Sequence, residues 1–306
     1  MNNKVNLYIA AIVKDEFAGL LEWIAYHRVL GVTGFMIADN GSRDGSRELL
    51  SSLARLGIVT VLDQPDVINQ KPQLPAYERI LRSCAREIDL LAFIDADEFL
   101  LPLSPDVNLV DFFASHFKDE SVSAIALNWA IFGSSGELFA EEGLVTERFT
   151  HRATVKFNVH HNVKSVVKPE RVNHFHNPHC ADLRYGRYID ALGNDMVLHP
   201  KHGHGVSAEV IWNGVRVNHY AVKSLEEFLL GKHLRGSAAT ANRVKHKAYF
   251  KAHDRNDETC LLAAALAPKV KAEMAAIQAQ LDALPAEESP QKSDSWLATR
   301  VKKLIG

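Results

Sequence analysis

Residues 90–102, LLAFIDADEFLLP, run from an apolar stretch into three acids, Asp95, Asp97 and Glu98, and then turn apolar again. Unpaired carboxylates are costly to bury, so acids fixed between two apolar runs call for a cation. Oxygen donors at a D-x-D spacing suit Mg²⁺ or Mn²⁺, ions that complete their shells with water and substrate phosphates. A solvated acidic loop is the plain alternative. The flanking LLAFI and FLLP argue against it, because they tie the acids to a buried strand.

The elements around that stretch have a rhythm. VNLYIAAIV (5–13), GFMIAD (34–39), IVTVLD (58–63) and LLAFID (90–95) are short, rich in Ile, Val, Leu and Phe, and bounded by turns, as buried strands are. Between them lie three helical patterns: Phe17, Leu20, Leu21, Ile24 and Ala25 on a helix over about 15–30, then Leu49, Leu50, Leu53 and Leu56, then Ile80, Leu81, Cys84 and Ile88. Alternating strands and helices imply βαβ units and a mainly parallel sheet covered on both faces. Ligands of such sheets bind beyond the carboxyl ends of the strands, where Asp39-Asn40 and Asp95-Ala96-Asp97 fall.

The 306 residues are 47% hydrophobic and 24% charged, with a formal net charge of -2. That supports a sizeable core and gives no support to nucleic acid as a partner; a small molecule fits better. Cys84, Cys180 and Cys260 are widely spaced and odd in number, which argues against a disulfide framework and for a reducing cytoplasm. The apolar run Leu7 to Val13 is too short and wrongly flanked for a signal peptide or a membrane span.

A further strand, VSAIALNWAIFG (122–133), leads into a Gly/Ser turn. From 151 to 220 the pattern is irregular, and nine of the fifteen histidines lie between His151 and His204. HFHNPHC and HPKHGH supply zinc-type ligands at a spacing that fits no familiar finger, so both a zinc site and a loop with a local histidine excess stay open. Ser224 and Glu227 have the spacing of a capping box for a helix through about Leu234. The tail reads as helical from about 257 to 283 and again in SWLATRVKKLIG. Apolar and basic residues in 292–306 suggest a short amphipathic helix for a membrane surface, for docking or for a dimer.

DADEF after an apolar strand resembles the D-x-D motif of GT-A glycosyltransferases, which hold a nucleotide-sugar diphosphate through a divalent metal. IVKDEFAGLLEWIAYHRVLGV (12–32), followed by FMIADNGSRDGSRELL (35–50), is similar to the opening of the family 2-like and family 92-type glycosyltransferases. NWAIFGSSG (128–136) and VNHYAVKSLEEF (217–228) also look like elements of that group. The resemblance implies a GT-A fold, a mainly parallel Rossmann-like sheet flanked by helices. Residues 1–235 would form the GT-A domain, its nucleotide-binding half about 1–100 and its acceptor half about 101–235, and 236–306 a helical C-terminal extension.

By that resemblance Asp97 ligates Mn²⁺ or Mg²⁺, Asp95 meets the ribose or the metal shell, Glu98 braces the loop, and His219 is a late third ligand. Gln73 and Tyr77 resemble positions that approach the nucleotide. Asp39 and Asn40, with Lys14 and Glu16, are placed at strand ends to bind the nucleoside, while Ser42 and Asp44 suit a helix cap. Glu22, Trp23 and His27 match the family pattern on a helix, in structural roles.

Trp129, Phe132, Gly133 and Ser134 would meet the acceptor sugar, an aromatic face stacking on a pyranose and a glycine turn admitting it. A core role for Trp129 stays equally open. Lys164 could neutralise the diphosphate. Glu147 and Asp182 are the candidate general bases of an inverting transfer. The expected partners are a nucleotide diphosphate sugar, a UDP-sugar above others, and a glycan or glycolipid acceptor. The expected location is cytoplasmic, at the inner membrane face if 292–306 binds there. A sugar nucleotidyltransferase is the nearest rival, although IVKDEFAGL lacks a glycine-rich phosphate loop; a non-catalytic carbohydrate-binding protein on the same fold is the second.

Overall fold

A computed structural model describes residues 5–64, 71–235 and 244–285. The segment 292–306 lies outside the described residues. The first part alternates β1 (Leu7–Val13), α1 (Phe17–Val29), β2 (Gly34–Asp39), α2 (Ser46–Arg55), β3 (Val59–Asp63), α3 (Gln73–Ser83) and β4 (Leu90–Phe93). The apolar runs become strands because their side chains are buried on both faces, as in a parallel sheet between helices. β1 pairs in parallel with β2 on one side and with β4 on the other, and β2 pairs in parallel with β3. The chain therefore winds outward from β1 to β3 and returns to the opposite side of β1. That reversal opens a crevice at the carboxyl ends of β1 and β4.

After β4 the chain turns through the three acids into β5 (Glu98–Pro102), followed by α4 (Leu109–Phe117), β6 (Val122–Ile131) and α5 (Val145–Arg148). The histidine-rich region carries short strands: β7 (His151–Arg152), β8 (Val163–Val167), β9 (Val172–Asn177), β10 (Cys180–Leu183), β11 (Arg187–Ile189), β12 (Leu198–His199), β13 (Gly203–Ser207) and β14 (Val215–His219). The main sheet runs β3-β2-β1-β4-β8-β6-β14-β5, with β11 on β6. β8 is antiparallel to both β4 and β6, β5 is antiparallel to β14, and the remaining pairs are parallel.

Two expectations change. α1 is buried nearly all round, from Glu22 to His27, rather than along one stripe. The reason is α9 (Ala267–Asp282), which packs on it with Val270 and Ile277 in the main core and Arg28 Nε donating to Glu273 at 2.6 Å. The tail thus docks on the first domain half. It also starts its long helix later than expected: β15 (Glu258–Thr259) pairs with β7, and Pro268 opens α9, where a missing N–H costs nothing.

The capping box at Ser224 and Glu227 is formed, and it begins α6 (Leu225–Glu227). The helix does not continue smoothly. It widens into a π-turn over Phe228–Lys232 before α7 (His233–Arg235), and α8 (Lys247–His253) comes next.

Candidate active site

Sheet register brings the acids to their partners. β8 runs antiparallel to β4, so its first residues lie at β4's carboxyl end, and Lys164 Nζ stands 2.9 Å from Asp95 Oδ2 and 3.3 Å from Glu98 Oε2. Lys164 is 1% exposed, an ammonium taken out of water only because two carboxylates surround it. β14 lies between β5 and β6, with His219 opposite Glu98 on one side and Ile131 on the other. Tyr220 N–H donates to the Asp97 carbonyl at 2.9 Å, and His219 Nε2 comes to 3.5 Å from Asp97 Oδ2. Lys232, from the π-turn, donates to Asp97 Oδ2 and to the Ala221 carbonyl.

The loop itself is held from behind by α1. Trp23 Nε1 donates to the Glu98 carbonyl at 2.7 Å, and the Leu100 N–H donates to His27 Nε2 at 3.1 Å. Glu22 accepts from the N–H groups of Val145 and Thr146, at 2.7 and 3.1 Å, at the start of α5. The E-W-x-x-Y-H segment is thus structural, as expected, and one of the things it positions is the acid loop. Glu98 also braces the loop, accepting from Asp95 N–H at 3.0 Å.

Burial and charge pull these groups apart. Burial pushes Asp97 up, but Lys232 and then His219 overcome it and hold the carboxyl well below its usual value. Asp95 is likewise lowered, burial being outweighed by Lys164. For Glu98 burial wins over Lys164, and its carboxyl is held well above the usual range. Burial lowers His219 despite Asp97, which keeps the imidazole neutral and able to act as a ligand.

Asp97, Glu98 and His219 each offer a ligand atom within 4.8 Å of the others. Asp95, expected at the ribose or the metal shell, is outside this set, its two oxygens meeting Gln73 Nε2 at 2.8 Å and Lys164. Glu98 belongs to it, and among the described residues neither its buried Oε1 nor the buried His219 Nδ1 has a partner. Carboxylate and imidazole donors with unsatisfied atoms fit a divalent ion.

Gln73 and Tyr77 do come to the site, Gln73 Nε2 donating to the Tyr77 hydroxyl at 3.0 Å as well as to Asp95. Asp39 is buried at the end of β2 and accepts from Ser42 N–H and Arg47 Nε, while the buried Asn40 Oδ1 has no partner among the described residues. Lys14 and Glu16 flank Asp15 in the next loop. The expected cap is corrected: Gly45 is the N-cap of α2 and offers no side-chain bond, Ser42 Oγ accepts from Asp15 N–H instead, and Asp44 accepts from Ser46 N–H at the start of α2 and from Phe17 N–H. They stitch the β1–α1 and β2–α2 loops into one rim.

On the acceptor side the structure divides the four candidates. Trp129 faces the cluster, its ring 4.4 Å from His219 and 4.9 Å from His179, with no partner for Nε1 among the described residues. Phe132 is 1% exposed and packs on Tyr220, so it offers no face to a sugar. Gly133 is close-packed for another reason: a Cβ there would meet the Arg255 carbonyl at 2.5 Å, and Asn256 as well. Ser134 is buried beside it, its N–H donating to Asp254 at 2.7 Å. The glycine turn admits the chain's own 254–256 segment.

Neither candidate base joins the cluster by contact. Glu147 pairs with Lys271 of α9 at 2.7 Å, and Asp182 sits in the β9–β10 hairpin beside Asn173, His174 and His176. His179 is a site residue that the sequence alone does not single out. Its Nδ1 lies 3.0 Å from the Val163 carbonyl, which assigns the proton there and leaves Nε2 as an acceptor. Burial and then Lys164 lower it to about 4. The histidine excess of this region hides it.

The model of glycosyltransferase family 92 matches residues 10–211. The chain belongs to glycosyltransferase family 92. A family 92 protein of Oryza sativa subsp. japonica is 25% identical over 207 residues, 63% of this chain and 32% of its own length. One of Ricinus communis is 29% identical over 206 residues, 62% of this chain and 34% of its own. The chain thus spans about a third of the length of these curated relatives.

Among solved structures, S. aureus TarS in complex with UDP-GlcNAc is 8% identical over 54% of this chain and 46% of that one, with a TM-score of 0.36. Glucosyl-3-phosphoglycerate synthase from Mycobacterium tuberculosis, in complex with Mn²⁺, UDP and glucosyl-3-phosphoglycerate, is 14% identical over 55% and 58%, at 0.31. Scores of this size carry no weight for function. The family is one of those that the motifs at 12–32 and 35–50 resembled, and the mixed α/β sheet with flanking helices is the expected architecture. His219 and Lys232 lie beyond the matched span.

Proposed function

We propose that this chain is a metal-dependent glycosyltransferase that moves a hexose from a nucleotide diphosphate sugar, a UDP-sugar above others, to a glycan acceptor with inversion. The observation that carries the reading is the meeting of Asp95, Asp97 and Glu98 with Lys164, Lys232 and His219 at the crevice beyond β1 and β4, in a member of family 92. Such a mix of acids, ammonium groups and a neutral imidazole suits a diphosphate held with a cation.

Asp97 and His219, with Glu98 behind them, would hold Mn²⁺ or Mg²⁺, which supplies positive charge to the departing diphosphate. Lys164 fixes Asp95 and adds a charge on the same side. Gln73 and Asp95 face the nucleotide, and Asp39 and Asn40 the nucleoside, where the unpartnered Asn40 Oδ1 has an acceptor to offer. Trp129 offers the acceptor sugar a ring beside His179. What supports His179 as the base, over Glu147 or Asp182, is its acceptor Nε2 beside that tryptophan; both carboxylates hold other partners.

Three unpaired cysteines suit a cytoplasmic location, and no described helix is long and apolar enough to cross a membrane. The test is turnover: UDP-, GDP- and CMP-sugars are offered with a glycan mixture, with and without Mn²⁺, and released nucleotide is measured. One donor should be consumed, only with metal, and incorporated into glycan. Consumption of none, or release independent of metal, would refute the reading.

A further inference from the structure

Asp95 and Asp97 each carry an ammonium; Lys164 reaches the candidate metal set only at Glu98 Oε2, from the Asp95 side, whereas Lys232 meets Asp97 itself. Lys232 Nζ and His219 Nε2 meet the same oxygen, Asp97 Oδ2, at the centre of the set that could hold a divalent ion. An ammonium and a dication on one carboxylate repel each other at full strength in a site with little water. The ion therefore gains Asp97 only as Lys232 lets go. Lys232 is also held by the Ala221 carbonyl at 2.9 Å and is 16% exposed, so its departure needs somewhere for the charge to go. Diphosphate oxygens are such a place, because they carry enough negative charge for an ion and an ammonium together.

The way Lys232 is mounted points the same way. It ends the five-residue π-turn Phe228–Lys232. Such turns occur mostly inside helices and often at functional sites, and one extra residue rotates the rest of the helix by roughly 100° around the axis. A small local rewinding between α-type and π-type turns would move Nζ off Asp97 without unfolding the segment. Lys164 has no such freedom: it lies on a central strand, 1% exposed, between two carboxylates.

We propose that Lys232 is a resident counter-ion that keeps a divalent metal off Asp97 until a nucleoside diphosphate arrives and takes over its ammonium. Metal binding then comes after the nucleotide. This rests on the donor-site reading above and adds an order of events to it.

Binding of Mn²⁺ to the full chain, monitored by the loss of the free-ion electron paramagnetic resonance signal, tests it without turnover. Wild type should bind Mn²⁺ weakly alone and at least ~10-fold more tightly with uridine or guanosine diphosphate, as a counter-ion displaced by phosphate requires. Lys232→Met should bind Mn²⁺ at least ~10-fold more tightly than wild type without nucleotide and lose most of the nucleotide effect. Lys232→Gln keeps a donor for the Ala221 carbonyl and should behave like Lys232→Met, serving where that variant folds poorly; Lys232→Arg should behave like wild type. Unchanged Mn²⁺ affinity in both neutral variants, with nucleotide-dependent binding intact, would overturn the proposal and leave the donor site standing. Absence of Mn²⁺ binding in every protein, with either nucleotide, would remove both.

Discussion

Asp95 and Asp97 stand two residues apart, and the ammonium groups that meet them come from regions of different kinds. Lys164 belongs to β8, a strand in the middle of the main sheet, fixed by pairing on both edges. Lys232 belongs to a π-turn near the end of the described 71–235 stretch, and it leans on one carboxylate and one carbonyl. The same charge thus has two settings: in the strand it lets the acids be buried, and in the turn it balances an acid of the proposed metal site. Position in the fold, more than residue type, separates the two.

The sharpest way to break that contrast is to remove each ammonium in turn. Lys164→Met should cost about 3–5 kcal/mol in urea unfolding, because it leaves the ionised Asp95 without its cation. Lys232→Met should cost less than half of that. Equal losses would erase the distinction between a structural and an exchangeable cation. Next in size, His179→Ala should lower kcat by ~10²-fold with the melting temperature nearly unchanged, the range for a lost general base. A raised KM with kcat intact would place His179 in binding alone.

A smaller effect is expected where the glycine turn meets the tail. Gly133→Ala should destabilise by about 1–3 kcal/mol through overpacking against Arg255, with nucleotide affinity unchanged. A large loss of acceptor affinity without loss of stability would restore this turn to the sugar site. Smallest at neutral pH is the effect at His27, which burial lowers from 6.5 to about 3. A histidine depressed on folding contributes stability that is present above 6.5 and lost as pH falls toward 3, at up to about 1.4 kcal/mol per pH unit. His27→Gln should flatten that part of the pH–stability profile; an unchanged slope would show that other groups set it.

Legibility in the sequence divides along the same line between strands and turns. β2 spans the expected 34–39, and β1 and β4 fall within two residues of the expected runs, because burial on both faces writes itself as continuous Ile, Val, Leu and Phe; β3, the edge strand, falls within one residue of its run although only Val59 and Leu62 are buried. The acid loop was legible for the opposite reason, since carboxylates inside such runs need an explanation. Lys232 was not, because it meets Asp97 across 135 positions and stands in a segment whose π-turn has no periodic signature.

Gly133 taught a subtler lesson. A glycine in a turn announces a close approach, but only the packing of Arg255 and Asn256 says what approaches. Likewise Phe132 has the composition of a sugar platform and the burial of a core residue.

The most direct test of the central claim is calorimetric titration of uridine, guanosine and cytidine nucleotides into wild type and Asp97→Asn, each with and without Mn²⁺. If the acid cluster is the donor diphosphate site, one nucleotide binds wild type, Mn²⁺ strengthens it, and the Asp97→Asn variant loses that metal-dependent gain while melting near the wild-type temperature. Equal binding to a folded Asp97→Asn variant, or no nucleotide binding to wild type in the presence of Mn²⁺, would contradict it.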